Sequence, residues 1–134
     1  MKLINKFWGD FKETFTILNN YTLMHLLNNA IDAIEEGVGN QSSTPQIRIH
    51  AEVIDLNMVK IAIADNGTGI EESLRSHLFD PFFTTKSVGK GSGLGLSISH
   101  QIIVQKHRGN ITYTSSVGQG AEFAIKIPIE QSEP

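Results

Sequence analysis

Apolar residues recur along this chain with two different periods. Between Tyr21 and Glu36 they fall at Leu23, Leu26, Leu27, Ala30, Ile31 and Ile34. That is the spacing of one helical face, and it predicts an amphipathic helix over 21–36. Asn19 or Asn20 stands where a cap belongs, and Gly37 and Gly39 stand where the helix must unwind. After the polar loop 40–46, the period drops to two. Ile47, Ile49, Ala51 and Val53 alternate with Arg48, His50 and Glu52, and Val59, Ile61 and Ile63 repeat the pattern beyond Asp55-Leu56-Asn57. Two such runs around a short polar link predict an antiparallel hairpin.

A short helix is expected from Glu71 to Leu78, opened by two glutamates and ended by Pro81. The stretch from Pro81 to Gly95 contains Thr84, Thr85, Lys86 and alternating glycines with few core-forming residues, which predicts a mobile loop. A second helix is expected from Leu94 to about His107, stopping at Gly109. Two last strands, Asn110 to Ser115 and Ala121 to Ile129, flank a turn around Val117-Gly118-Gln119-Gly120. Helices mixed with antiparallel strand pairs predict an α+β fold: a two-layer sandwich with a mixed, mostly antiparallel sheet covered on one face by helices. The opening residues leave two readings, because Phe7, Trp8, Phe11 and Phe15 suit an edge strand or a helix packed on the sheet.

Composition narrows the function. A chain of 134 residues, 40% hydrophobic and 19% charged, suits one domain with a single substantial core. The formal charge of -3 gives no general attraction to nucleic acid or to an anionic membrane, so neither is expected as a partner and any polyphosphate must be held locally. There are no cysteines, which removes disulfides and thiolate metal sites and fits a cytoplasmic location. No long apolar run or cleavage pattern follows the opening residues, so neither signal peptide nor membrane span is expected.

Three segments carry candidate chemistry. On the first helix, His25, Asn29 and Ala33 follow the four-residue ridge and share the flank of the apolar stripe, where a cleft would lie. An Asn amide oxygen suits a magnesium ion already bearing phosphate oxygens and water, although a helical Asn is also an ordinary solvated side chain. Asp65-Asn66-Gly67-Thr68-Gly69-Ile70 puts a carboxylate at a strand end before glycines that let backbone approach a flat ligand. Asp65 can accept from an exocyclic amine, or it can close an Asx turn with its own glycines. Gly89-Lys90-Gly91-Ser92-Gly93-Leu94-Gly95-Leu96 leads into a helix, either as a phosphate cradle of backbone amides or as a flexible linker. It is neither a P-loop, since Gly91 stands where Ser or Thr must follow Gly-Lys, nor a dinucleotide fingerprint, since its glycines alternate.

Taken in order, these segments resemble the boxes of the GHKL superfamily, named for gyrase, the heat-shock chaperone, histidine kinases and the mismatch-repair protein. LMHLLNNAIDAIEE is similar to the asparagine box, DNGTGI to the first glycine box, LFDPFFTTK to the phenylalanine box, GKGSGLGLSIS to the second glycine box and GQGAEFAIKIP to the terminal strand. LFDPFFTTK with GLGLSI further resembles the sensor histidine kinases of two-component systems. The resemblance implies the histidine-kinase-type ATPase fold over residues 21–130, with 1–20 an edge segment of the same domain or a remnant of an upstream linker, and 131–134 a tail.

It also implies ATP and Mg2+ as cofactors, with Asn29 the magnesium ligand and Asp65 the partner of the adenine amine. Gly67 and Gly69 would let the base approach. Gly91, Gly93 and Gly95 would fold a lid over the phosphates, anchored by Leu94 and Leu96, and Ala33, Ile70 and Ser92 complete the implied nucleotide contacts. Lys86 is a candidate for the terminal phosphates or a solvated loop lysine. Phe82 and Phe83 pack the lid, dock a partner or join the core.

The implied function is a protein-histidine kinase domain that delivers the γ-phosphate of Mg-ATP to a histidine on a separate dimerisation and phosphotransfer domain of the same kinase, with a response regulator downstream. The location implied is the cytoplasm, either free or as the cytoplasmic part of a membrane-bound sensor. None of His25, His50, His77, His100 or His107 lies in a long helix before the asparagine box with an acidic residue after it, so the chain alone is not expected to autophosphorylate. The alternatives are a GHKL ATPase that hydrolyses ATP to drive conformational change, and a degenerate docking module.

Three departures from the family pattern bear on these roles. His25 stands where kinases of this type usually have asparagine and hydrolytic relatives have glutamate; it can be a weak metal ligand, a base near neutral pH or a polar flank residue. Ala121 stands where threonine is common, which removes about one hydrogen bond, roughly 0.5 to 1.5 kcal/mol of binding. His107-Arg108-Gly109 replaces a His-Gly-Gly pattern, with little effect expected on chemistry.

Overall fold

The computed structural model describes residues 20–37, 44–55, 57–83 and 94–129. The predicted first helix is α1, Asn20–Glu36. It ends at Gly37, whose amide bonds back to the Ala33 and Ile34 carbonyls at 3.3 and 3.1 Å. The hairpin is β1, Ile47–Val53, and β2, Met58–Asp65. A single 3-10 segment, Glu72–His77, takes the place of the short helix expected there. The second long helix is divided: α2, Gly95–Gln101, runs into a π-helical stretch, Ile102–Lys106. Strands β3, Asn110–Ser116, and β4, Gly120–Pro128, close the fold. Residues 1–19 and the lid segment from Thr84 to Gly93 lie outside the described residues.

The sheet runs β1-β2-β4-β3, so the two hairpins meet through β2 and β4. Every pairing is antiparallel, including the central one that sets Ile61 opposite Ile125 and Asp65 opposite Ala121. The parallel contribution expected in a mixed sheet does not occur among the described strands. Val59, Ile61 and Ile63 of β2 and Phe123, Ile125 and Ile127 of β4 alternate onto one face, where they form the core with Leu26 and Ala30 of α1 and Ile103 of the π stretch. A period of two in the strands and of 3.6 in the helix thus converge on one apolar layer. Burial is uneven across it: β1 is one of the two outer strands among those described, and Ile49 remains 54% exposed although it alternates in step with its neighbours.

The π stretch has a clear consequence for packing. The amide of His107 reaches back to the Ile102 carbonyl at 3.1 Å and that of Gly109 to Ile103 at 2.9 Å, widening the last turn. Ile103 and His107 are both fully buried there. Arg108 then turns the chain with a left-handed φ of 57°, a conformation that glycine adopts more readily.

Candidate functional site

The loop after β2 is fastened on three sides. Asp65 closes an Asx turn, its Oδ1 accepting from the Gly67 amide at 2.9 Å. Gly67 lies flat on α1, where an added Cβ would fall 2.5 Å from the Ala33 carbonyl carbon and oxygen, and the Thr68 amide donates to that same carbonyl at 3.3 Å. Asn66 holds the other side: its side chain accepts from the Gln46 amide at 2.7 Å and donates to the Thr44 carbonyl at 2.8 Å. At the far end Gly69 has a φ of 73°, and a Cβ there would collide with the Ser116 carbonyl. Each glycine of this loop therefore stands where a backbone approach leaves no room for a side chain.

The turn between β3 and β4 completes the frame. Ser115 Oγ accepts from the Ile70 amide at 2.7 Å and donates to the Gly120 carbonyl at 3.2 Å. The Gly118 amide donates to the Thr68 carbonyl at 2.8 Å, and Arg75 donates through Nη2 to the Ser115 carbonyl. Gly120, with a φ of 108°, rests on the Asp65 carbonyl. Ser115 and Arg75 do not stand out in the sequence. Gly120 does, through the GQGAEF run that places it beside Ala121.

Asp65 is half-buried, and burial pushes its carboxyl above the ordinary range, against the opposing effect of amide hydrogen bonds from Gly67 and Ala121. An ionised carboxylate offers about four acceptor positions, so these two amides leave capacity for a further donor. The Asx turn and the recognition of an amine are therefore compatible roles for one side chain. Ala121, the register partner of Asp65, contributes its backbone there, and the loss of a threonine hydroxyl leaves that hydrogen bond in place.

The ridge of α1 passes beneath Gly67 and Gly95. Ala33 supports Gly67, and two steps further back along the same ridge His25 lies against Gly95, the first residue of α2. Asn29, half-buried between them, brings Nδ2 to 3.4 Å from His25 Nε2. The His25 ring also stacks on Tyr21, with centroids 6.0 Å apart and planes 5° from parallel. The flank expected to face a cleft thus lines the joint between the loop after β2 and the base of α2. Leu94 and Leu96 are half-buried at that base, and Leu96 packs against the core. Lys86, Gly91, Ser92 and Gly93 fall outside the described residues. Phe82 is 74% exposed with a φ of 67°, which removes it from the core, while the Phe83 ring sits 5.8 Å from that of His77.

A model of the histidine kinase-, DNA gyrase B- and HSP90-like ATPase family matches residues 20–131. The chain belongs to that family. Within it the similarity runs to sensor kinases: the chain is 42% identical over 107 residues to the signal transduction histidine-protein kinase AtoS of Escherichia coli, covering 80% of this chain and 16% of AtoS. It is 37% identical over 110 residues to the two-component sensor PprA of Pseudomonas aeruginosa, covering 80% and 11%. The chain therefore spans a small part of these curated relatives. Among solved structures, the catalytic domain of histidine kinase ThkA superposes with a TM-score of 0.63 at 34% identity, over 80% of this chain and 64% of that one. Full-length ShkA in complex with AMPPNP superposes at 0.68 and 26% identity, over 85% and 22%. The fold is that of the histidine kinase catalytic domains, as the boxes imply.

The donor chemistry of this ATPase-type site fits a magnesium nucleotide. The described residues contain no group of three or more His, Cys, Asp or Glu able to hold a metal. A cation beside the neutral Asn29 amide would draw most of its ligands from phosphate oxygens and water, as magnesium with nucleotides does. No described helix is long and apolar enough to cross a membrane.

Proposed function

We propose that this chain is the catalytic domain of a sensor histidine kinase that binds Mg-ATP and delivers its γ-phosphate to a histidine on the dimerisation and phosphotransfer domain of the same kinase, from which a response regulator is served. The observation that carries this reading is the fixing of Asp65 at the sheet end by the amides of Gly67 and Ala121, on a loop seated directly on the helix that presents Asn29. Asp65 accepts from the adenine amine, which distinguishes adenine from guanine at that edge. Gly67 and Gly69 hold backbone where the base must lie flat, with Ile70 against it.

The Asn29 amide oxygen is the protein ligand to magnesium, whose charge offsets that of the phosphates when it is bound. Lys86, Gly91, Ser92, Gly93 and Gly95 are the residues assigned to the phosphates on this reading, with Leu94 and Leu96 beside them. The chain's part in the reaction is positioning and electrostatics, because the attacking nitrogen belongs to the acceptor domain. The working location is the cytoplasm, with neither nucleic acid nor direct membrane contact required.

Incubation with γ-labelled ATP tests this, with the chain alone and with the dimerisation domain of a sensor kinase. Label is expected on the acceptor domain's histidine in the mixture and not on the isolated chain. Stable label on the isolated chain would contradict it. Steady phosphate release without an acceptor, lost in His25→Ala with ATP binding intact, would point to a hydrolase instead. Absence of calorimetric binding at millimolar ATP and magnesium would leave only a docking module.

A further inference from the structure

His25 and Asn29 lie one ridge step apart on α1, and their side chains meet with 3.4 Å between His25 Nε2 and Asn29 Nδ2. That is long for a nitrogen hydrogen bond, whose heavy atoms usually lie about 2.9 to 3.0 Å apart. It is within a few tenths of an ångström of the roughly 3 Å between adjacent ligands on an octahedral cation with bonds of about 2.1 Å. Exchanging the amide oxygen and nitrogen of Asn29 places Oδ1 beside the imidazole without moving any other atom. The ring is held for such a role. It stacks on Tyr21 on one side and lies against Gly95 on the other, where any side chain would occupy the same space. A half-buried imidazole gripped in this way gives up little further freedom when it takes a ligand.

Magnesium takes oxygen donors and sheds water reluctantly, whereas manganese(II), although the weakest nitrogen binder of the first-row divalent series, accepts an imidazole nitrogen more readily than magnesium does. We propose that Nε2 of His25 is a second protein donor, beside Asn29, to the divalent cation that accompanies the nucleotide, and that this nitrogen makes the domain favour manganese(II) over magnesium. Phosphate oxygens and water fill the remaining positions, consistent with the lack of any other metal-ligating cluster among the described residues. The proposal rests on the nucleotide reading above and replaces magnesium by manganese(II) as the cation the site prefers.

Two measurements on the 134-residue chain test it. Pulsed electron paramagnetic resonance of the chain with manganese(II) and a non-hydrolysable ATP analogue should show the modulation of a directly bound imidazole nitrogen, and the signal should vanish in His25→Asn. Calorimetric titration of the analogue with each cation should give a manganese-to-magnesium affinity ratio that falls by about tenfold or more in His25→Asn, at least the loss that an outer-shell partner alone incurs. The ratio is internal to each protein, so a general loss of affinity does not mimic the shift. A matching thermal midpoint would show that the variant is folded. Nucleotide binding with no nitrogen modulation, or with the same ratio in both proteins, would overturn the proposal and leave the nucleotide reading standing. No nucleotide binding with either cation would overturn both.

Discussion

The imidazole of His25 occupies the space that a side chain at Gly95 would need. Through this interlock the helix that carries Asn29 and the base of α2 are fitted to one another, so the two residues are expected to behave as one unit on mutation.

Gly95→Ala should destabilise the domain by about 1 to 3 kcal/mol, the usual cost of forcing extra volume into a packed contact. In a His25→Ala background the same change should instead gain up to about 1 kcal/mol, because alanine is the better helix former once the ring is gone. Urea denaturation of the four proteins in this cycle measures the coupling. Equal effects of Gly95→Ala in both backgrounds would show that the ring and the glycine are independent.

Asp65→Asn keeps the shape of the side chain and its ability to accept the Gly67 amide, but removes the charge. A hydrogen bond to a charged group contributes about 1.5 to 3 kcal/mol, so ATP affinity should fall by roughly ten- to a hundredfold. Calorimetric titration with ATP checks this, and affinity within twofold of the parent would remove Asp65 from base recognition.

Burial raises the Asp65 carboxyl above its ordinary value, and two opposite pH trends follow. Folding favours the protonated form, so the group's contribution to stability is fully present below the ordinary carboxylate range and is lost as pH rises through the shifted value. The stability of Asp65→Asn relative to the parent should therefore improve as pH rises from below the ordinary carboxylate value through the raised one. Nucleotide affinity of the parent should move the other way, strengthening as the carboxylate ionises. Denaturation and binding curves across that interval test the pair, and a relative stability that declines with pH would reverse the assigned direction.

Ser115→Ala leaves the Ile70 amide and the Gly120 carbonyl without their shared hydroxyl. An unmet half-buried donor costs about 1 to 3 kcal/mol, and the Gly69–Ile70 backbone should loosen with it. Urea denaturation should register the loss, and hydrogen exchange should locate it at the Ile70 amide. Unchanged exchange there would show that Ser115 is not what secures the loop.

Much of this architecture is legible in local periodicity. The apolar stripe predicts 21–36 and the helix spans Asn20–Glu36; the two-residue alternation marks β1 and β4 to within one residue and β2 to within two. What periodicity does not carry is contact between distant segments. Nothing in the spacing of Ile47 to Ile63 announces that β2 pairs with β4 rather than ending the sheet, or that Ile49 stays exposed on an outer strand. The π stretch is equally silent, because Ile102–Lys106 carries the same apolar rhythm as an α-helix and differs only in which carbonyl each amide reaches. At the site, the glycines and Asp65 are marked by their unusual clustering. Ser115 and Arg75 are not, since each acts through one bond to backbone far away in the chain.

The central pairing also orders events in time. Each hairpin can form from neighbouring residues, but β2 and β4 meet only after the intervening stretch has closed into a loop, and contacts of such long separation form late and slowly. Asp65 and Ala121 are partners across that last seam. On the proposed reading, a chain with both hairpins made but not yet joined would have its helix and its glycines and no place for a base. Competence for ligand then arrives in one step with the completed sheet, and nucleotide added during refolding acts as a reporter of the finished molecule alone.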